Sequence, residues 1–214
     1  MLVVKRSARA ERTQTINQAR ALILTGPNEL RARFRSHAPA DLIASTAAMR
    51  PRPSDLPGYA TRIALRELGR RAQFLDQQLE RLDGQLIIPL ITTRAPSLLA
   101  LHGIGPDTAA TLLVAAGDQP ERLRSEAAWA HLCAAAPIPA SSGKTTRHRL
   151  NPGGDRQANH ALWRIVITRM KSHPPTRAYV DRRSKAGLSN KEIIRCLKRY
   201  VAREVYPHLR PARR

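Results

Sequence analysis

Apolar residues recur at helical spacing along most of the chain. The most regular run is Leu65, Leu68, Ala72, Leu75, Leu79, Leu82 and Leu86, at intervals of three and four, which places them all on the a and d positions of one helix. A seam of about three heptads has to be covered lengthwise by another helix. Residues 3–25 offer one within the same chain: a basic helix with Ile16, Ala19, Leu22 and Ile23 on one face and Arg9, Arg12 and Arg20 among its polar positions. The same helix of a second copy offers another, so an internal hairpin and self-association stand as equal alternatives. Gly26-Pro27-Asn28 stops the first helix. Between Arg35 and Gly58 the composition shifts to Ala, Ser and Pro, and Pro51, Pro53 and Pro57 leave room only for a short helix over 40–49.

From residue 92 the pattern changes to shorter helices with marked turns. Residues 97–117, SLLALHGIGPDTAATLLVAAG, read as a helix-hairpin-helix: an apolar helix ends at Gly103, Ile104 plugs the turn, and Gly105-Pro106 opens a second helix. The N–H groups of such a turn and helix start can hold a phosphate. A tight corner that only shapes the fold is the alternative. A helix over 125–135 with Trp129 and Leu132 inward comes next, and then a polar loop that Asn151-Pro152-Gly153-Gly154 closes. Another helix, 155–171, carries Ala158, Leu162, Ile165, Val166 and Met170 inward and Arg156, Arg164 and Arg169 outward. The last helix, 189–205, sets Ile193, Ile194, Leu197, Tyr200 and Val201 against a cationic side of Lys191, Arg195, Lys198, Arg199 and Arg203. Ser189 or Asn190 caps it, with Glu192 in its first turn. The expected fold is all-α: a long helical, coiled-coil-like segment over 1–91, then a compact helical domain over 92–214.

Charge narrows the partners. A formal net charge of +21 on 214 residues favours a polyanion, and nucleic acid is the first candidate because Lys and Arg that neutralise phosphates release counterions. The excess is greatest at the end of the chain, where residues 169–214 hold fourteen Lys or Arg against three carboxylates. An anionic membrane surface and the ribosome are the rivals. No apolar run is long enough to span a bilayer, and the apolar face of the last helix is needed for packing. Cys133 and Cys196 are single and far apart, which fits core thiols in a reducing cytosol better than a disulfide or zinc site.

The candidate chemistry lies in residues 137–154, PIPASSGKTTRHRLNPGG, where Ser141 and Ser142 precede a glycine among Lys144, Arg147, His148 and Arg149. A hydroxyl in a cationic loop is suited to attack on a phosphodiester, the cations meeting the charge that develops on the phosphoryl oxygens. Read alone, the stretch is more simply a polar turn with a solvated patch. Asp107, Asp118, Asp155 and Asp181 read as helix-start or turn residues, which leaves no acidic cluster for Mg²⁺, and there is no P-loop and no Cys/His pattern for zinc. His148 and His160 flank the loop and read as DNA contacts or packing residues rather than bases.

In this order, LLALHGIGPDTAATLLVAAGD, PIPASSGKTTRHRLNPGGDRQANHALWRI and RAYVDRRSKAGLSNKEIIRCLKRYVAREVY resemble the C-terminal half of transposases of the IS-one-ten/IS-one-sixteen family over about residues 92–209. The preceding segment resembles that family's coiled-coil region. The resemblance implies a DNA recombinase that moves an insertion sequence, in some members directed by a structured guide RNA, and that works as an oligomer. It implies Ser142 as the nucleophile that links to the DNA backbone. From the residues themselves, DNA contacts are expected of Gly103 and Gly105 in the hairpin turn, of Ser141, Lys144, Arg147, Arg149 and Arg156 about the loop, and of Lys191, Arg195, Lys198, Arg199 and Arg203 on the last helix. The family's Mg²⁺ sits on an N-terminal nuclease-like domain with three aspartates and a glutamate, which has no counterpart in this sequence. The expectation is therefore a chain that binds DNA or RNA but is not self-sufficient in joining it. A non-catalytic binding protein that forms mixed oligomers with a full-length transposase through the leucine seam is the alternative.

Overall fold

The computed structural model describes residues 1–53, 56–117, 123–141, 148–149 and 151–209. The chain is all-α apart from one short strand pair, and it divides into two units, Met1–Leu86 and Ile87–Arg214.

In the first unit α1 (Leu2–Thr25) and α3 (Pro39–Ala47) pack on α4 (Leu56–Arg81), and α2 (Asn28–Phe34) packs against α1. The internal hairpin is the arrangement adopted: α1 lies along α4, and Leu65, Ala72 and Leu75 of the seam are buried with Ile16, Ala19, Ile23, Leu30, Phe34, Leu42 and Ile43. Ion pairs set the direction, Lys5 with Asp83, Arg12 with Asp76 and Glu11 with Arg71, so α1 and α4 run antiparallel. The expected seam does not continue in one register to Leu86. A π-helical turn, Leu82–Ile87, follows α4, and its wider winding takes Leu86 off the seam, 43% exposed.

The second unit holds α5 (Ile88–Arg94), α6 (Pro96–Leu99), α7 (Pro106–Ala116), α8 (Glu126–Leu132), α9 (Arg156–Ser172), α10 (Pro174–Lys185) and α11 (Asn190–Val205). Its axis is α9, against which α7, α10 and α11 pack. Trp129, Leu98, Leu112, Leu162, Ile165, Val166, Ile193 and Val205 form its interior. Side chains start three of the helices as the sequence leads one to expect. Ser125 Oγ accepts from Ala128 N, Asp155 accepts from Gln157 N and Ala158 N, and Ser189 and Glu192 form a reciprocal capping box on α11. Between α8 and α9, β1 (Ile138–Pro139) pairs antiparallel with β2 (His148–Arg149), an element that the helical periodicities do not contain. No helix of the described residues is long and apolar enough to cross a membrane.

Candidate nucleic-acid interface

Ile138–Pro139 and His148–Arg149 of the serine stretch form the β1–β2 pair. Ile138 faces Arg149 and Pro139 faces His148, so the segment between the strands begins at Pro139 and ends at His148. Ser141 is exposed on it, whereas Ser142, Lys144 and Arg147 lie outside the described residues. The base of the hairpin is tightly closed. Asp155 N donates to Leu132 O at 2.6 Å, Ala135 N and Ala136 N both donate to Ala130 O, and Gly154 turns the chain with φ +94°. A Cβ at Gly154 would stand 2.6 Å from Leu132 O, so the close approach of the two ends requires glycine. Asn159 of α9 completes the closure by donating from Nδ2 to Cys133 O (2.8 Å) and Ala134 O (3.1 Å).

Beside that base lies a cavity of about 630 Å³ lined by Ala134–Pro137, His148, Arg149 and Asn151 on one side and by side chains of α10 and α11 on the other. Arg149, Arg183, Arg195, Lys198, Arg199 and Arg203 give it a strong positive charge, against which the lining sets only Glu192, already committed to the capping box. The sequence divides α11 into an apolar and a cationic side, and two residues depart from it. Lys198 is 6% exposed, with its stem inside and Nζ bound to Asn159 Oδ1 at 3.0 Å, while Tyr200 is 52% exposed. A long alkyl stem lets a lysine follow the apolar side while its ammonium reaches a polar wall. Burial, aided by the neighbouring Arg195, pulls the Lys198 ammonium below its ordinary pKa. Arg199 is lowered in the same direction, first by burial and then by Arg203. Like charges crowd this wall, a repulsion that a bound anion relieves. Part of the charge is offset from behind, since Glu126 of α8 pairs with Arg199 and lies 3.6 Å from Arg203. Lys191 and Arg156 are exposed and do not line the cavity.

The α6–α7 turn makes a separate, shallow groove of about 600 Å³ that includes Gly103, Gly105, Asp107 and Arg164. Gly103 has φ +80°, and Gly105 precedes Pro106 at the start of α7. The start of α7 already carries a negative charge, Asp107, which is 3.3 Å from Arg164. Arg169, expected to face outward, is buried. Its Nε donates to His102 O at 2.7 Å, and its guanidinium takes Glu204 of α11 at 2.5 and 3.1 Å. Against the same turn, His102 stacks on His173 with centroids 4.9 Å apart, and the His173 pKa is lowered by burial and then by Arg169.

Among the described residues no three of His, Cys, Asp or Glu come close enough together to hold a metal ion. Five of the described acids of this unit are engaged with other groups: Asp107 with Arg164, Glu126 with Arg199, Asp155 and Glu192 as helix caps, Glu204 with Arg169. Cys133 is buried, its thiol pushed up by burial and by Asp155, while Cys196 lines the cavity. Sequence reasoning missed Arg183, whose helix α10 begins on two prolines and buries little, and Asn159, whose polar position at the edge of the Ala158–Leu162 stripe was the available signal.

The helical unit thus sets a polar hairpin beside a cationic cavity. Residues 95–181 match the transposase family IS116/IS110/IS902. A relative from Streptomyces coelicolor, described as the insertion element IS110 uncharacterized 43.6 kDa protein, is 31% identical over 117 residues. The aligned part covers 54% of this chain and 29% of that protein.

Proposed function

We propose that the chain acts in DNA transposition, as the part of a transposase that grips the DNA backbone and brings Ser142 to it. The observation that carries this reading is the placement of the β1–β2 hairpin at the mouth of the cationic cavity. Arg149, Arg183, Arg195, Lys198, Arg199 and Arg203 contact phosphates and fix the strand without reading bases. Lys144 and Arg147 add to them from the loop, and Ser141, Arg156 and Lys191 from its flanks. The Ser142 Oγ–P bond forms as one P–O ester bond breaks. The Oγ proton passes to water and the departing sugar oxygen keeps the bonding pair. Cations preset around the phosphoryl oxygens stabilise the charge of that step. Gly103 and Gly105 offer backbone N–H groups to a second stretch of backbone. The acidic metal-binding domain, any guide RNA and the oligomer belong to the complete machinery that this chain serves.

The test uses the full chain and its Ser142→Ala variant. Both are expected to bind duplex DNA with the same steep loss of affinity on adding salt, because the hydroxyl neutralises no phosphate. A full-length relative whose own serine is replaced should regain recombination when the wild-type chain is co-expressed and not with Ser142→Ala. Absence of DNA binding would sink the reading. Binding without serine-dependent rescue assigns the chain instead to restraint of a full-length transposase, and strand transfer by the purified chain alone would show that it needs no partner.

A further inference from the structure

We infer that Asn159 is a positioning residue that ties the base of the β1–β2 hairpin to Lys198, so that an anion seated in the cavity fixes the hairpin. The inference rests on the reading above, in which the cavity takes nucleic-acid backbone and the hairpin carries the nucleophile. An asparagine amide has two N–H donors and one carbonyl oxygen, and here each goes to a different group. Nδ2 donates to Cys133 O and Ala134 O, and Oδ1 accepts from Lys198 Nζ. One half-buried side chain on α9 thus joins the chain leaving α8 to the cationic wall of α11.

The segment it holds needs holding. Ala134 has φ +51°, a left-handed conformation that crowds the Cβ of any residue but glycine. Ala135 and Ala136 then share one acceptor, Ala130 O, before β1 starts. Fixing two successive carbonyls at this point sets the direction in which the strands leave. Lys198 has three N–H donors, one of them given to Asn159, and no carboxylate within ion-pair distance among the described residues. An anion taken by the remaining donors pins the ammonium in place, and the fixed Nζ–H to Oδ1 bond holds the amide against the two carbonyls. The tie transmits occupancy of the cavity to the hairpin without any change of fold.

Hydrogen exchange at the Ala135 and Ala136 amides of the full chain, with and without a short DNA duplex, tests this. Without DNA, Asn159→Ala and Asn159→Asp should each speed exchange at both amides about tenfold while the α9 interior keeps its protection. With DNA, the wild type should slow exchange there. Lys198→Gln keeps a donor for Asn159 and Lys198→Met does not, yet both lose the same charge. Equal weakening of DNA binding is therefore expected, with slowing retained in Gln and lost in Met. Unchanged exchange in both folded Asn159 variants, or equal slowing in the two Lys198 variants, would overturn the inference. If the Asn159 variants do not fold, the Lys198 pair decides it. A wild type that ignores DNA removes the proposed function, while the exchange rates without DNA still decide whether Asn159 holds the hairpin.

Discussion

The α6–α7 turn and the base of the β1–β2 hairpin each pivot on a left-handed glycine, Gly103 and Gly154, and each is held by a buried cation on the α9–α11 pair. At the first turn Arg169 reaches a backbone carbonyl and is answered by the Glu204 carboxylate. At the second, Lys198 reaches only the neutral amide of Asn159. A buried cation whose charge is matched is a brace. One left unmatched at the edge of a cavity is a brace with charge to spare for a ligand. The same pair of helices thus builds a closed joint at one turn and a joint open to an anion at the other.

Breaking the matched joint should cost as much as any change at the two turns. Arg169→Met leaves Glu204 and the His102 carbonyl without their donor, and unfolding in urea should show a loss of about 3 kcal/mol, the lower end for a broken buried pair because Glu204 keeps some contact with water. The glycines separate the two turns next. Gly154→Ala forces a Cβ against three backbone atoms and should cost about 3 kcal/mol. Gly103→Ala meets its neighbours no closer than 3.4 Å and should cost about 1 kcal/mol, chiefly from its left-handed backbone. Equal losses would mean that the hairpin base gives way. The smallest effect concerns Lys198 and sharpens the contrast through pH. Its pKa is lowered on folding, so the unfolded chain holds the proton more tightly. Its contribution is unfavourable while both states are protonated and is relieved as pH rises from the folded pKa to the ordinary lysine value. The stability of the wild type relative to Lys198→Met should therefore improve over that alkaline range. A flat difference would place Lys198 with Arg169 as a matched charge.

The long helices were legible because their apolar spacing and caps agree: 3–25 is observed as Leu2–Thr25, 155–171 as Arg156–Ser172 and 189–205 as Asn190–Val205. Where a single residue departs from the period, the pattern misleads. Lys198 and Arg169 look like surface cations in one dimension, and only the meeting of α9 with α11 supplies the partners that draw them inside. The slip at the π-helical turn was hidden for a related reason, since Leu82 and Leu86 keep heptad spacing while the backbone changes its winding. Two strands of two residues each lie below what alternation can signal. The cavity beside the hairpin base depends on α10 and α11, distant in sequence, so no pattern within the serine stretch signals it.

The unlike surroundings of the chain's two cysteines have a practical consequence for solution work. Cys133 is fully enclosed with a thiol that resists ionisation, and Cys196 stands on the cavity wall. Alkylating reagents act on the thiolate, so a maleimide dye should attach selectively at Cys196 in the unmutated chain. The molecule thereby offers a single labelling position whose fluorescence reports on whatever fills the space between the hairpin and α11.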